Sequence, residues 1–442
     1  MRCLFAVLLL LPGVAFAQQE SPTPERATSE RATTRLAEVT REVNRKHPRA
    51  KTAAMVSVRY VGPKLLREEI HSTMAKSDTP ERPKRRWSED NGRSWSDDEA
   101  LPELVTHPEG VRVFWGPGPQ FHGAERRPTV SIWLRQTHLG GVYYNHLFWR
   151  VSNDLTRTWS EPKQIVYEAG ASFDSDKPFD PEFLHNNQAY FGNNILRHSN
   201  GSLIHVAAAA NIPRDVPVPN PKKLSVMGMP ADARCIGSLC VVGKWNDQDS
   251  SYVWTAGKPV WVSRGISSRG LMEPEVAELK DGRVLIVWRT SNAGLDPNKV
   301  HGHKFFSLST DGGQTLDEPR PWTYDDGTPF SSPSSIHRMI RHSTTGKLYW
   351  IGNISSAPPR GNSPRYPLVI AEVDEEIPAI RRDTVTLIDD RRKADSSELQ
   401  LSNFSLLENR ENQHLEIYLT RLGENPADFW GADAYKYTLR LR

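Results

Sequence analysis

From residue 51 onward the chain alternates short apolar stretches with tight polar breaks, and none of it keeps the i, i+3, i+4 spacing of a helix. Residues 284–290, Val-Leu-Ile-Val-Trp-Arg-Thr, are apolar almost without interruption, as a strand buried on both faces would be. Residues 275–280 precede them across Asp281-Gly282, a pair suited to a two-residue type I′ hairpin turn. A loop over 291–303 then leads to a third strand at 304–309. The grammar repeats at 187–199 and 202–210 around Asn200-Gly201, and at 335–344 and 347–354 around Thr345-Gly346. It repeats again at 399–407 and 415–420 across a longer turn, and at 129–136 followed by 143–151. Residues 55–60 are the expected strand that closes the assembly against 435–442. The pattern predicts an all-β chain of repeated antiparallel sheets.

Three copies of one turn set the repeat. Ser88-Glu89-Asp90-Asn91-Gly92-Arg93-Ser94-Trp95 reads S-x-D-x-G-x-[ST]-W. Ser152-Asn153-Asp154-Leu155-Thr156-Arg157-Thr158-Trp159 lacks the glycine, and Ser309-Thr310-Asp311-Gly312-Gly313-Gln314-Thr315-Leu316 lacks the tryptophan. In such a turn the Ser hydroxyl and Asp carboxylate can accept backbone N–H bonds. The first two copies start 64 residues apart and the next two 157 apart, so the longer interval holds at least one unit without a copy. Residues 51–442, divided by roughly 65 per unit, make six, within the range of β-propellers.

This arrangement orients the molecule. First strands leave one end, second strands return, and third strands depart again towards the Ser/Asp turns. Those turns therefore mark a floor, and the loops joining second to third strands form a mouth at the opposite end. Glu273 and Arg289 fall at that mouth, a carboxylate beside a guanidinium that could serve as base or steering group. Arg135 and Arg421 end second strands at the same level, and Arg365 begins a third strand there. Guanidinium groups gathered on one rim make a bidentate receptor for carboxylate or sulfate, or else pair with rim carboxylates. The loop leading into the third unit carries Asp174, Asp176, Asp180, Glu182 and His185, of which Asp180 is the candidate acid; Tyr324, Asp325 and Asp326 precede the fifth. His301, His303 and His337 also fall near the mouth and could abstract a proton. The Pro-rich segment 211–239 has the length of a lid.

The remaining features fix the setting. Arg2, the apolar run 4–11 and Ala15-Phe16-Ala17 form a secretory signal over residues 1–17, which implies a secreted or periplasmic protein. No later run is long enough to span a membrane. Residues 18–50 are polar and read as a tether, with a short polar helix available at 32–46; residues 51–442 are the propeller. The 13 Trp, 33 Pro and 29 Gly suit many short strands joined by turns. A balance of 56 basic against 53 acidic residues provides no field for nucleic acid. Cys3 leaves with the signal, and Cys235 and Cys240 could pair, which would staple a loop and not a fold. Neither these nor the acidic loop has a metal-site spacing, and no cofactor is implied.

The three turns, with Glu273-Pro274-Glu275 through Val287-Trp288-Arg289-Thr290, resemble the sialidase superfamily of six-bladed propellers with Asp-box, or BNR, repeats. The resemblance runs from about Met55 to the C-terminus. It implies three arginines on a substrate carboxylate, a Tyr nucleophile assisted by Glu, and an Asp acid/base. Glu273 and Arg289 match the family's Glu and second arginine, and Arg365, in Gly361-Asn362-Ser363-Pro364-Arg365-Tyr366-Pro367-Leu368, matches the third. No Arg-Ile-Pro segment provides the first, and Leu401 stands where the nucleophilic Tyr is expected. The expectation is a sialidase-like glycoside hydrolase acting on a terminal, acidic sugar of a glycan. Glu273 and Asp180 would be catalytic, and Arg289, Arg365, Arg135 and His337 would bind substrate. A polysaccharide lyase using His and Tyr at the same rim, or a glycan-binding propeller without catalysis, are the alternatives.

Overall fold

The computed structural model describes residues 36–77, 79–123, 127–210 and 236–442. These form six antiparallel sheets arranged as the blades of a propeller. Ala53–Tyr60, Arg112–Phe121, Ala189–Arg197, Met272–Glu278, Arg338–Arg341 and Ser405–Glu408 are the first strands of successive blades, and neighbouring blades meet along them at the axis. Second and third strands follow outward, as in blade four, where Met272–Glu278 pairs with Val284–Arg289 and that strand with Lys304–Ser309.

The core lies between blades. In Val284–Arg289, side chains alternate between two faces, and both faces are covered. Val284, Ile286 and Trp288 pack on Ile204, Val206 and Val242 of blade three, whereas Leu285 and Val287 pack on Leu348, Trp350 and Val369 of blade five. All of these side chains are buried, which accounts for the unbroken apolar run in the sequence. Each such residue contributes about 1.5–3 kcal/mol of burial. Cys240 is one of the core residues between blades three and four, and burial pushes its thiol up to about 12. Its expected partner Cys235, and most of the 211–239 segment, lie outside the described residues.

Two expectations are corrected. The first concerns ring closure. Ala37–Arg45 is neither tether nor helix; it is the outermost strand of blade six, paired from Ala37↔Leu441 to Arg45↔Ala434. Ala53–Tyr60, expected in that role, is the axial strand of blade one. The closing strand is hard to read because it is an edge strand, charged and largely exposed, with only Val39 and Val43 as large apolar side chains. Polar bonds hold it. The Leu36 amide donates to Thr386 Oγ1 at 3.0 Å, and Arg45 Nη2 donates to buried Glu69 at 3.0 Å.

The second concerns the blade-four hairpin. Val276↔Ile286 and Glu278↔Val284 are partners, and the Leu279 amide bonds the Arg283 carbonyl. The loop is therefore Lys280-Asp281-Gly282, three residues long, with Gly282 at φ 84° in the left-handed region. The register is one residue away from that of a two-residue turn.

The three Ser/Asp turns do follow their expected chemistry. Ser88 Oγ accepts the Gly92 amide at 2.7 Å, Ser152 Oγ the Thr156 amide at 2.9 Å, and Ser309 Oγ the Gly313 amide at 2.8 Å. Asp90, Asp154 and Asp311 each accept the backbone amide of the residue four positions on, at 2.8–2.9 Å. Thr156 adopts φ 67° where the other two copies have glycine. Each turn follows a third strand, at the end of the molecule away from the mouth.

Candidate active site

Glu273 owes its position to a bulge. Met272 pairs with Arg289 and Glu275 with Val287, so Glu273 and Pro274 together oppose Trp288. Pro274 has no amide to offer the ladder, and Glu273 takes φ 43°, a strained value for a non-glycine residue. A bulge of this kind re-aims a side chain. Blade three secures it: Asn193 Nδ2 donates to the Glu273 carbonyl at 2.8 Å, and Asn194 exchanges bonds with the Val276 carbonyl and amide at 2.7 and 3.0 Å. Gly192 allows that approach, since a Cβ there would lie 2.8 Å from the Pro274 carbonyl oxygen and 2.3 Å from that of Val206.

The Glu273 carboxylate, 18% exposed, accepts from Arg289 Nη1. Arg289 Nε donates to Ser334 Oγ at 3.0 Å and Nη2 to Asn362 Oδ1 at 3.4 Å. The same Asn362 oxygen accepts from Arg269 Nη1 at 3.3 Å, and the Asn362 carbonyl accepts from Arg365 Nε at 3.2 Å. Arg365 Nη1 also reaches Gln400 Oε1 at 2.9 Å. Three guanidinium groups thus converge on one asparagine beside one carboxylate. The loop carrying Asn362 is held by Asn292, which accepts the Gly361 amide at 2.7 Å and donates to the Pro359 carbonyl at 3.0 Å.

Beneath this layer lies Lys304, the register partner of Arg289, fully buried and donating to the carbonyls of Pro333 at 3.1 Å and Ser335 at 2.5 Å. Burial, and then Arg289, push its ammonium well below the usual lysine range against the opposing pull of Glu273. For Glu273 burial alone would push the carboxyl up, but Arg289 most, then Arg365 and Lys304, more than offset it and hold it below the usual range. The site therefore keeps its carboxylate ionised within an excess of positive charge.

Glu275 is different. It is buried behind Arg338, whose Nη1 lies 3.3 Å away, and it accepts the Met339 amide at 3.2 Å. Burial pushes its carboxyl up to about 7, and Arg338 and that amide only partly oppose it.

Of the residues singled out in the sequence, Glu273, Arg289 and Arg365 come together. The others do not join them. The Asp180 carboxylate caps Pro181–His185 through Oδ1, which accepts the Glu182 and Phe183 amides at 2.8 and 3.3 Å. His337 is fully buried against Trp350 and presents no surface to a substrate. Arg135 is buried among Phe173, Phe179 and Phe183, donating to Thr137 Oγ1 at 2.6 Å and the Pro178 carbonyl at 3.0 Å. Desolvation lowers its guanidinium to about 10. Arg421 is a buried structural cation, held by Asp395 at 2.6 Å and Asp389 at 3.3 Å. Asp326 pairs with Arg382 at 2.9 Å, and Leu401 lies fully buried in the core between blades five and six. Arg269, Asn362, Ser334 and Lys304 escaped the sequence reading. Arg269 lies four residues before Glu273 in a loop with no motif, and Asn362 lay within the stretch quoted for Arg365 without being singled out.

No protein-family model matches the chain, and no curated protein does. Solved structures do. A protein of unknown function from Dyadobacter fermentans DSM 18053 superposes with a TM-score of 0.54 at 15% identity, over 91% of this chain and 99% of the other. NanB sialidase from Streptococcus pneumoniae superposes with a TM-score of 0.54 at 12% identity, over 88% of this chain and 68% of the other. The fold is the sialidase-type six-bladed propeller. A Hadza microbial sialidase, Hz136, is similar to the same extent, with a TM-score of 0.52 at 13% identity over 88% of this chain and 66% of its own. Glu273, Arg289 and Arg365 occupy the end of this propeller opposite its Ser/Asp turns.

Proposed function

We propose that the protein is a glycoside hydrolase of the sialidase-type propeller class, acting at a terminal sugar that carries an acidic group. The observation that carries this reading is the convergence of Arg269, Arg289 and Arg365 on Asn362 beside ionised Glu273. Guanidinium groups in a fork suit a planar carboxylate or a sulfate, and an ionised carboxylate next to them can act as base or nucleophile towards the anomeric carbon or its attacking water. Solved sialidases with the same fold support a glycan substrate in the coarse sense. Asp180 caps a helix through Oδ1 and Glu275 is sealed behind Arg338, whereas Glu273 lies among the converging guanidinium groups, so the reading rests on Glu273. The signal at residues 1–17 supports action outside the cytoplasm. The reading involves no nucleic acid, and among the described residues no helix is long and apolar enough to cross a membrane.

A second reading, glycan capture without turnover, draws on one specific observation. Leu401, which stands where the sialidase family's nucleophilic Tyr is expected, has no reactive group and no exposed surface. Incubation with a panel of acidic and neutral oligosaccharides separates the readings. Release of a reducing sugar from an acidic member supports hydrolysis. A rise in absorbance at 235 nm would instead mark a lyase. Binding with neither product would establish capture alone.

A further inference from the structure

Away from the mouth, the outer edges of blades five and six enclose a groove of about 620 Å³, within the size range of small-ligand sites. One wall is the closing strand, with Val39, Thr40 and Arg41; the other is Val385 to Asp389, with Arg392 and Tyr437 completing it. Both walls are sheet edges: among the described residues Ala37–Arg45 pairs with Ala434–Leu441, and Thr386–Asp389 with Leu368–Asp374. Their other edges leave backbone donors and acceptors along the groove.

The charge on these walls is unbalanced. Asp389 serves Arg41 at 3.3 Å, Arg421 at 3.3 Å, Arg392 at 3.6 Å and the Tyr437 hydroxyl at 2.5 Å. Arg421 has Asp395 as a second partner, so it is already neutralised. One carboxylate is then shared by Arg41 and Arg392, whose side chains are 28% and 49% exposed. An anionic group entering the groove would complete the count, with Thr40 beside it to hydrogen-bond and Leu387, 53% exposed, as an apolar face.

We propose that this groove is a second binding site, separate from the mouth, for a saccharide bearing carboxylate groups. It rests on the reading that the protein handles acidic glycans. A site of this kind would hold a polymer while its end is processed, and would raise apparent affinity through multivalency.

Isothermal titration of the full chain carrying Glu273→Gln with a galacturonic acid trisaccharide, in 50 mM and 300 mM salt, tests this. The expected result is two sites per chain: Arg365→Gln weakens the mouth site and leaves the groove site in place, whereas the groove site alone weakens about tenfold in Arg392→Gln and more in Thr40→Glu, and weakens with salt. Thr40 is exposed, so the second variant keeps the test open if the first unfolds. Equal affinity of the groove site for a galactose trisaccharide would overturn the proposal, as would loss of all binding in Arg365→Gln with unchanged binding in Arg392→Gln. The Arg365 arm separates failure of the groove from failure of the mouth.

Discussion

Arg269 and Arg289 donate to the same atom, Asn362 Oδ1, at 3.3 and 3.4 Å. Two cations brought to one neutral acceptor are held closer than their charges favour, and an anion between them would relieve the repulsion. Asn362→Ala should therefore loosen the receptor without removing a charge. We expect KM for an acidic substrate to rise about tenfold and kcat to fall less, as for lost ground-state binding. Thermal unfolding should shift little. Steady-state kinetics on acidic and neutral substrates check this, and equal loss on both would count against an anion receptor.

The closing strand supplies an acid-labile clamp. Glu69 is buried, takes bonds from Arg45 and Arg86, and is held at about 2; burial opposes that shift, and His71, Arg86 and Arg45 outweigh it. Because its folded value lies below the unfolded one, its contribution is present above about pH 4.5 and is lost as pH falls towards 2. A depression of this size corresponds to about 3 kcal/mol. Glu69→Gln should lower stability at pH 7 and flatten the acid limb of a denaturant-unfolding series over that window.

Glu275 has the opposite sign. Burial raises its carboxyl to about 7, so its contribution is fully present below about pH 4.5 and is lost as pH rises through 7. Glu275→Gln should make the protein more stable than wild type at pH 8, by up to about 3 kcal/mol, and leave the two alike near pH 4. Denaturant midpoints at the two pH values check the crossing.

The repeat and the mouth were legible for different reasons. The blades announce themselves because strands buried on both faces must be continuously apolar, as in Val284–Arg289, and because the Ser/Asp turn needs its residues at set offsets. Glu273 and Arg289 could be placed at the mouth end of that hairpin even though its loop proved one residue longer and the bulge at Glu273 and Pro274 moves Arg289 a further residue, opposite Met272, because both shifts leave the two side chains adjacent. What could not be read depended on contacts between distant segments. Arg269 and Asn362 meet across 93 positions, and Arg135 disappears under phenylalanines 38 to 48 positions further along the chain. Asp180 illustrates a third case: Asp before Pro-Glu is also a helix-capping pattern, and Oδ1 of its carboxylate caps the helix at Pro181–His185.

The Ser/Asp turns should be dispensable for chemistry. Asp311 accepts the Gln314 and Thr315 amides, both at 2.9 Å, and the Thr315 hydroxyl at 2.6 Å, at the end of the molecule away from Glu273. Asp311→Ala leaves those donors to water, and should lower Tm by a few degrees while kcat/KM at 25 °C stays within about twofold. A large loss of activity with unchanged Tm would show the turn to have another role.

The most direct test is Glu273→Gln on whichever acidic oligosaccharide the wild type cleaves. The substitution keeps size and leaves Arg289 an oxygen to bond, but removes the negative charge. The account predicts a fall in kcat of about 10²–10⁴-fold, with KM and far-UV circular dichroism close to wild type. Turnover at the wild-type rate by Glu273→Gln would contradict it.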